Sequence, residues 1–116
     1  MGKFRSTERK GFHMTFENGL TVSVQWGGGN YCENHGKSMY MDFSHTKDME
    51  SRNAEVAVWS NERWLNANNF LSEEEADWCD DVVGWLTPEQ VVDLLVRVKN
   101  YPADKIDELK PTVCNL

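Results

Sequence analysis

Apolar and polar residues alternate along two neighbouring stretches near the start of the chain, residues 12–16 and 20–26. A period of two predicts β-strands with one buried face. The Asn-Gly pair between them suggests a two-residue turn, but that turn would place apolar residues opposite polar ones. A three-residue loop, Glu17–Gly19, sets Phe16 opposite Leu20 and brings all the apolar residues to one face. We therefore predict this longer loop, with its glycine in the left-handed position of a bulge.

A second hairpin is predicted within residues 54–66, where "AEVAVW" and "WLN" flank a polar turn. A four-residue loop from Ser60 to Arg63 would pair Trp59 with Trp64 on one face, and a valine with a leucine on the other. Both cross-strand pairs then match in character, which stabilises a sheet.

The clearest helix is predicted to begin after Thr87. This threonine is a suitable N-cap, Pro88 fits the first helical position, and Gln90 completes a capping box. Pro102 is expected to end the helix. An apolar stripe at helical spacing predicts its buried side, namely Val91, Leu94, Leu95 and Val98.

The remaining segments extend this order of strands followed by helices. "SMYMDF", residues 38–43, predicts a further strand, "LSEEEADWC" predicts a short helix capped by Ser72, and "ADKIDELK", residues 103–110, predicts at most two more helical turns. The fold is therefore predicted to be α+β, an antiparallel sheet of two hairpins plus a further strand, with one or more C-terminal helices packed on one face. We expect a single domain over residues 1–116, with residues 1–11 as a flexible basic start.

Composition narrows the classes of partner. Hydrophobic residues make up 40% of the chain and five are tryptophans, which favours a folded protein. The net charge of −7 argues against direct nucleic-acid binding, which needs a basic surface. Three widely spaced cysteines form no disulfide framework, so a reducing cytoplasm is expected. Because the basic start lacks the apolar region of a signal peptide and no apolar stretch approaches the length of a membrane span, we expect neither feature.

The negative charge is concentrated in one stretch, because no basic residue occurs between Arg63 and Arg97. Such a run is often only a solvated face. It is also typical of a surface that binds a basic partner, and the tryptophan within it would suit an anchor. The candidate partner-binding residues here are Glu73, Glu74, Glu75, Asp77, Trp78, Asp80 and Asp81.

The segment "GGGNYCENHGKS" superficially resembles a phosphate-binding loop. That motif needs a glycine where Tyr31 stands and a helix after the lysine, whereas "SMYMDF" has a strand period. We interpret the segment as a glycine-rich connection. An alternative is a small-molecule site in which the loop backbone approaches a ligand closely, formed by Gly27, Gly28, Gly29, Asn30 and Tyr31.

No residue pattern indicates catalysis. Cys32 and His35 have the spacing of half a zinc site, but no second half matches them. His13 and Ser23 fall on the polar face of the first hairpin without a third orienting group. We therefore expect no bound metal, no cofactor and no enzymatic activity.

Trp59 and Trp64 are the more informative side chains. In the predicted register, Val58 and Leu65 lie on the opposite face from the two tryptophans. If the aliphatic pair faces the core, the tryptophan pair faces outward, and exposed aromatic pairs are typical of binding surfaces. We include both tryptophans among the candidate partner-binding residues.

The segments "NGLTVSVQWGGGNYC", "AEVAVW" and "DDVVGWLTPEQV" resemble a group of small uncharacterised proteins encoded by tailed bacteriophages. Those proteins carry an N-G-x-T-V-S-V-Q hairpin, a G-N-Y-C segment, an A-E-V-A strand and a D-V-x-G-x-x-T-P-[DE] entry to a helix. The match covers residues 12–100 in pieces. It implies a context, the cytoplasm of an infected bacterium, and transfers no catalytic residues.

Three functions follow from these observations. The leading hypothesis is a small acidic phage accessory protein that binds and inhibits a host protein with a basic surface, such as one of antiviral defence, with nucleic-acid mimicry as one version. The alternatives are a small-molecule or nucleotide-signal binding protein that uses residues 27–31, and a small enzyme of unknown reaction.

Overall fold

The structure of the protein, a computed structural model, describes residues 2–7, 10–36, 50–61, 63–71 and 81–109. It contains six strands, one α-helix and two short 3-10 helices in these ranges. In chain order they are β1 (Lys3–Ser6), β2 (Gly11–Thr15), β3 (Thr21–Gln25), β4 (Ala54–Trp59), β5 (Trp64–Leu65), a 3-10 helix (Ala67–Phe70), β6 (Val83–Leu86), α1 (Pro88–Lys99) and a second 3-10 helix (Ala103–Glu108).

All six strands belong to one antiparallel sheet. The strands β1, β2, β3 and β4 are neighbours in that order. The far edge of β4 is shared, because β6 pairs with its first half and β5 with its last two residues. With α1 packed on one face, the predicted α+β class is confirmed.

The first hairpin has the predicted register. Met14 pairs with Val22 and Phe12 pairs with Val24. The Phe16 N–H donates to the Leu20 carbonyl oxygen at 2.9 Å, which closes the three-residue loop. Gly19 adopts φ +90°, the left-handed conformation expected of a bulge. The alternation of apolar residues therefore decided the loop length, as register rules require.

The second hairpin is also as predicted. Trp59 pairs with Trp64, and Val58 pairs with Leu65. The Ser60 N–H donates to the Arg63 carbonyl oxygen at 2.9 Å and closes the four-residue loop.

The core lies between one face of the sheet and α1. Val56, Val58 and Leu65 of the sheet are fully buried, as are Leu94 and Val98 of the helix. Burying an aliphatic side chain of this size contributes about 1.5–3 kcal/mol, so this interface dominates the stability of the domain.

Both ends of α1 follow from its sequence. The Gln90 N–H donates to Thr87 Oγ1 at 3.2 Å, and the Thr87 N–H donates to Gln90 Oε1 at 2.9 Å, which is the predicted capping box. At the other end, Asn18 of the first hairpin loop donates through Nδ2 to the carbonyl oxygens of Val98 and Tyr101, at 2.8 and 2.9 Å. This side chain therefore adds hydrogen bonds to carbonyls at and just beyond the helix end, where intrahelical donors run out.

Two strands differ from the predictions. The expected flexible start is wrong for Lys3–Ser6, which form the edge strand β1. Its two basic residues are typical of a protected sheet edge, a role that a composition argument does not distinguish from flexibility. The strand β6 was not predicted, because its glycine and aromatic residue hide the alternation.

Residues 38–43 and 72–79, for which a strand and a helix are predicted, lie outside the described residues.

Gly84 in β6 has a specific steric role. The Trp85 N–H donates to the Tyr31 carbonyl oxygen at 2.8 Å, and a Cβ on Gly84 would lie 2.8 Å from that same oxygen. Glycine therefore allows β6 to approach the 27–36 loop closely.

We predict that Gly19→Ala lowers the free energy of unfolding by about 1–2 kcal/mol, because an L-residue is strained at positive φ. A Cβ there meets no atom within 4 Å, so the loss would be conformational and not steric. Gly29→Ala is the matched control, since Gly29 has equal space and no positive φ. Urea denaturation measures both, and equal losses would contradict the assignment.

Candidate aromatic binding surface

Strand alternation places a distinct set of side chains on the sheet face opposite the helix. Because Val22, Val56 and Val58 point into the core, their neighbours along each strand point outward. The register then aligns these outward residues across the strands. They are Lys3 and Arg5 of β1, His13 and Thr15 of β2, Thr21, Ser23 and Gln25 of β3, Glu55, Ala57 and Trp59 of β4, and Trp64 of β5.

Trp59 and Trp64 form a stacked pair on this face. Their ring centroids lie 5.2 Å apart with an interplanar angle of 19°. Trp64 is 48% exposed, whereas Trp59 is half-buried beneath it. The predicted outward orientation is confirmed, since Val58 and Leu65 on the opposite face are fully buried.

His13 of β2 contacts the tryptophan pair across the intervening strand β3. Its ring meets Trp59 edge-on, with centroids 5.0 Å apart and an interplanar angle of 85°. Burial lowers the pKa of His13 below its usual range, and the positive charge of Arg5, its cross-strand neighbour, lowers it further. The imidazole is therefore held neutral near pH 7, which suits packing against an indole edge. Sequence reasoning placed His13 on this face but missed its contact with Trp59.

Small polar side chains form the floor of the face. Thr21 and Ser23 are buried, and Thr15 Oγ1 lies 2.9 Å from Thr21 Oγ1. Ser23 Oγ accepts a hydrogen bond from Gln25 Nε2 at 3.2 Å. Within the described residues His13 and Ser23 share no hydrogen bond, so the pair lacks the geometry of a base and its nucleophile. The exposed tryptophan pair on this face therefore lies beside hydrogen-bonded hydroxyl side chains of the sheet.

The glycine-rich loop, the alternative ligand site, is joined to β4 by hydrogen bonds to a carboxylate. The Tyr31 N–H donates to Glu55 Oε2 at 2.9 Å, and Asn30 Nδ2 donates to Glu55 Oε1 at 3.1 Å. The Gly27 N–H donates to Asn30 Oδ1 at 2.9 Å, and the Gly36 N–H donates to the Gly28 carbonyl oxygen. The Glu55 carboxylate of β4 therefore already accepts from two of the donors in this loop, the Tyr31 N–H and Asn30 Nδ2.

Cys32 and His35 are not arranged as half of a metal site. The Cys32 thiol is buried and donates to the Gly27 carbonyl oxygen at 3.5 Å. His35 is exposed and stacks on Tyr31 with centroids 5.2 Å apart. In the part of the chain that the structure describes, no three His, Cys, Asp or Glu side chains are grouped to hold a metal ion.

A depression lies on the other face of the sheet, at the start of α1. It has a volume of about 420 Å³ and is lined mainly by apolar groups, among them Phe12, Trp26, Leu86 and Val91. Trp26 lines it, whereas none of residues 27–31 does, so this depression lies outside the glycine-rich loop.

Of the seven candidate partner-binding residues in the acidic stretch, the structure describes only Asp81, which is exposed. The predicted partner-binding residues Glu73, Glu74, Glu75, Asp77, Trp78 and Asp80 lie outside the described residues.

A second acidic group was missed by sequence reasoning, namely the exposed Asp104, Asp107 and Glu108 of the second 3-10 helix. Arg63 Nη2 donates to the carbonyl oxygens of Ile106 and Leu109, at 2.9 and 3.3 Å, and so fixes this helix beside the second hairpin. No local pattern could reveal a contact between such distant positions.

Comparisons with protein-family models, with curated proteins and with solved structures found no match for this chain. No helix in the described ranges is long and apolar enough to cross a membrane.

We predict that Arg5→Gln raises the pKa of His13 part of the way toward its ordinary value of about 6.5. The rise would be partial because burial is the larger cause of the depression. Lys3→Gln is the matched control, since Lys3 pairs with Thr15 and not with His13. The measurement is an NMR titration of the His13 ring protons, and a larger rise in the control would contradict the assigned cause.

The same shift has a consequence for stability. The unfolded chain binds a proton at His13 near pH 6.5, whereas the folded chain resists it until lower pH. The contribution of neutral His13 is therefore fully present above about pH 6.5 and decreases as the pH falls toward the folded pKa.

Proposed function

We propose that this chain is a non-enzymatic binding protein that engages and inhibits a host protein, with Trp59 and Trp64 as its anchor. The observation that carries the proposal is the stacked pair, of which Trp64 is 48% exposed on a sheet face with a buried polar floor. Tryptophan is the residue most enriched among interface residues that dominate binding energy.

The side chains of Trp59 and Trp64 are preorganised for binding. Each indole restricts the other, and His13 restricts Trp59 from the side. A partner would therefore lose little free energy in ordering these side chains, which is a cost that flexible contacts carry. The β4–β5 hairpin holds the pair on regular structure, and Arg63 ties that hairpin to the second 3-10 helix.

Charge supports a partner with a basic surface. The chain has a net charge of −7, and exposed acids of the second 3-10 helix lie at the same edge of the sheet as the hairpin. Acidic residues around an aromatic anchor would steer a basic partner toward it and raise the association rate. In the nucleic-acid mimicry version, these carboxylates occupy a host site meant for phosphates.

The resemblance to tailed-bacteriophage proteins supports the biological setting. We propose an accessory protein that acts in the cytoplasm of an infected bacterium, on a host protein such as one of antiviral defence. The inhibitory role rests on that resemblance and on the small acidic chain, whereas the binding role rests on the tryptophan geometry.

We expect Trp64→Ala to weaken partner binding by about 2 kcal/mol or more, which is roughly a thirtyfold increase in Kd, mainly through faster dissociation. The partner would first be isolated from bacterial lysate with the wild-type chain, then purified and measured by surface plasmon resonance. Trp85→Ala is the matched control, because Trp85 is 54% exposed but lies in β6 outside the pair. An unchanged Kd for Trp64→Ala, or an equal loss for Trp85→Ala, would refute the anchor.

The acidic stretch generates a separate kinetic prediction. Replacing Glu73, Glu74 and Glu75 by Gln should slow association with the same partner and flatten its salt dependence, since peripheral charges act on encounter. Dissociation should change little. Association rates measured at several salt concentrations test this, and unchanged rates at low salt would mean that the stretch is only a solvated face.

A further inference from the structure

The edge strand β1 is a second surface with the properties of a binding site. All four of its residues are exposed, and within the described part of the chain it pairs only with β2. Phe4 is 77% exposed, which is unusual for a phenylalanine in a sheet. This surface is distinct from the tryptophan pair, since β1 and β4 are three strands apart, or roughly 14 Å.

The ladder identifies the backbone groups that β1 offers to a partner. The Thr7 N–H donates to the Gly11 carbonyl oxygen at 3.1 Å, so this pair is hydrogen-bonded at the end of the β1–β2 ladder. Hydrogen-bonded and non-hydrogen-bonded pairs alternate in an antiparallel ladder, so Arg5 and Lys3 also bond to β2. The N–H and C=O groups of Phe4 and Ser6 consequently point away from the sheet. Among the described residues these groups have no hydrogen-bond partner.

The two faces of β1 differ in chemistry. Phe4 lies on the helix-bearing face, next to Met14 in the register. There it borders an open groove of about 410 Å³ that Met14, Phe16 and Lys99 also line. Lys3 and Arg5 lie on the opposite face, directly across from Thr15 and His13. An added strand would therefore meet an apolar side chain on one face and two cations on the other.

The positions of Phe4, Lys3 and Arg5 disfavour pairing of β1 with β1 of a second copy of the chain. An antiparallel pairing that sets Phe4 against Phe4 of a second copy also sets Lys3 against Arg5. Like charges directly opposite each other destabilise a sheet, and edge lysines commonly prevent self-association in this way. The same two cations favour a strand with acidic residues at those positions.

We propose that β1 accepts an extended acidic segment of a partner protein as an additional strand. An apolar residue of that segment packs beside Phe4, and acidic residues on either side of it face Lys3 and Arg5. Backbone hydrogen bonds to Phe4 and Ser6 supply affinity, and the alternating side chains supply specificity.

The first test uses the full chain and two synthetic peptides. One alternates glutamate and valine over about seven residues, and the other has lysine in place of glutamate. The glutamate peptide should bind with chemical-shift changes at the Phe4 and Ser6 amides, about tenfold more tightly than the lysine peptide. The double variant Lys3→Glu with Arg5→Glu should reverse this preference. Equal binding of both peptides to both proteins, or no binding of either, would overturn the proposal.

The second test removes the outward hydrogen bond. Ser6→Pro deletes an N–H that faces away from β2, so the β1–β2 ladder keeps its bonds. It should weaken the glutamate peptide about tenfold with the Tm unchanged, whereas Ser6→Ala, which keeps the N–H, should bind as the wild type does. Equal affinities of the two variants would overturn the proposal. So would sedimentation showing a wild-type dimer that Ser6→Pro dissociates, because a second copy would then occupy the edge.

Discussion

The structure depends on the pairing of β4 along both of its edges. One edge pairs with β3 over five consecutive positions, and the other edge is divided between β6 and β5. Because side chains alternate, this strand buries Val56 and Val58 in the core while Glu55 and Trp59 emerge on the other face. A slip of one residue would exchange these two sets, so the core and the candidate surface are fixed by the same register.

Glu55 illustrates how that register determines the role of a distant loop. Its carboxylate accepts hydrogen bonds from the Tyr31 N–H and the Asn30 side chain, and so joins the glycine-rich loop to the sheet. The loop in turn approaches β6, where Gly84 makes room for Tyr31. Gly84 therefore serves close packing between segments of the chain, whereas a Cβ on Gly29 of the loop would meet no atom within 4 Å.

The sheet presents different chemistry at its two edges. At the β5 edge, stacked tryptophans lie near a helix with three exposed acids, a combination suited to a basic partner. At the β1 edge, two cations and an exposed phenylalanine surround backbone groups that point away from the sheet, a combination suited to an acidic strand. An overall charge of −7 conceals this division, because net charge describes long-range attraction and not the local surface that a partner contacts.

The sequence by itself determined the elements whose signals are local. Alternation with a period of two predicted both hairpins and their loop lengths, and the Thr87, Pro88 and Gln90 cap predicted the start of α1, because each depends on residues a few positions apart. The outward position of Trp59 and Trp64 followed from the same alternation. Only the tertiary structure decided which distant segments meet. These contacts join His13 to Trp59, Glu55 to the glycine-rich loop and Asn18 to the end of α1. They also include the pairing of β1 with β2 and of β6 with β4. Such contacts leave no periodic trace, since the free energy that selects them comes from packing and hydrogen bonding across the folded chain.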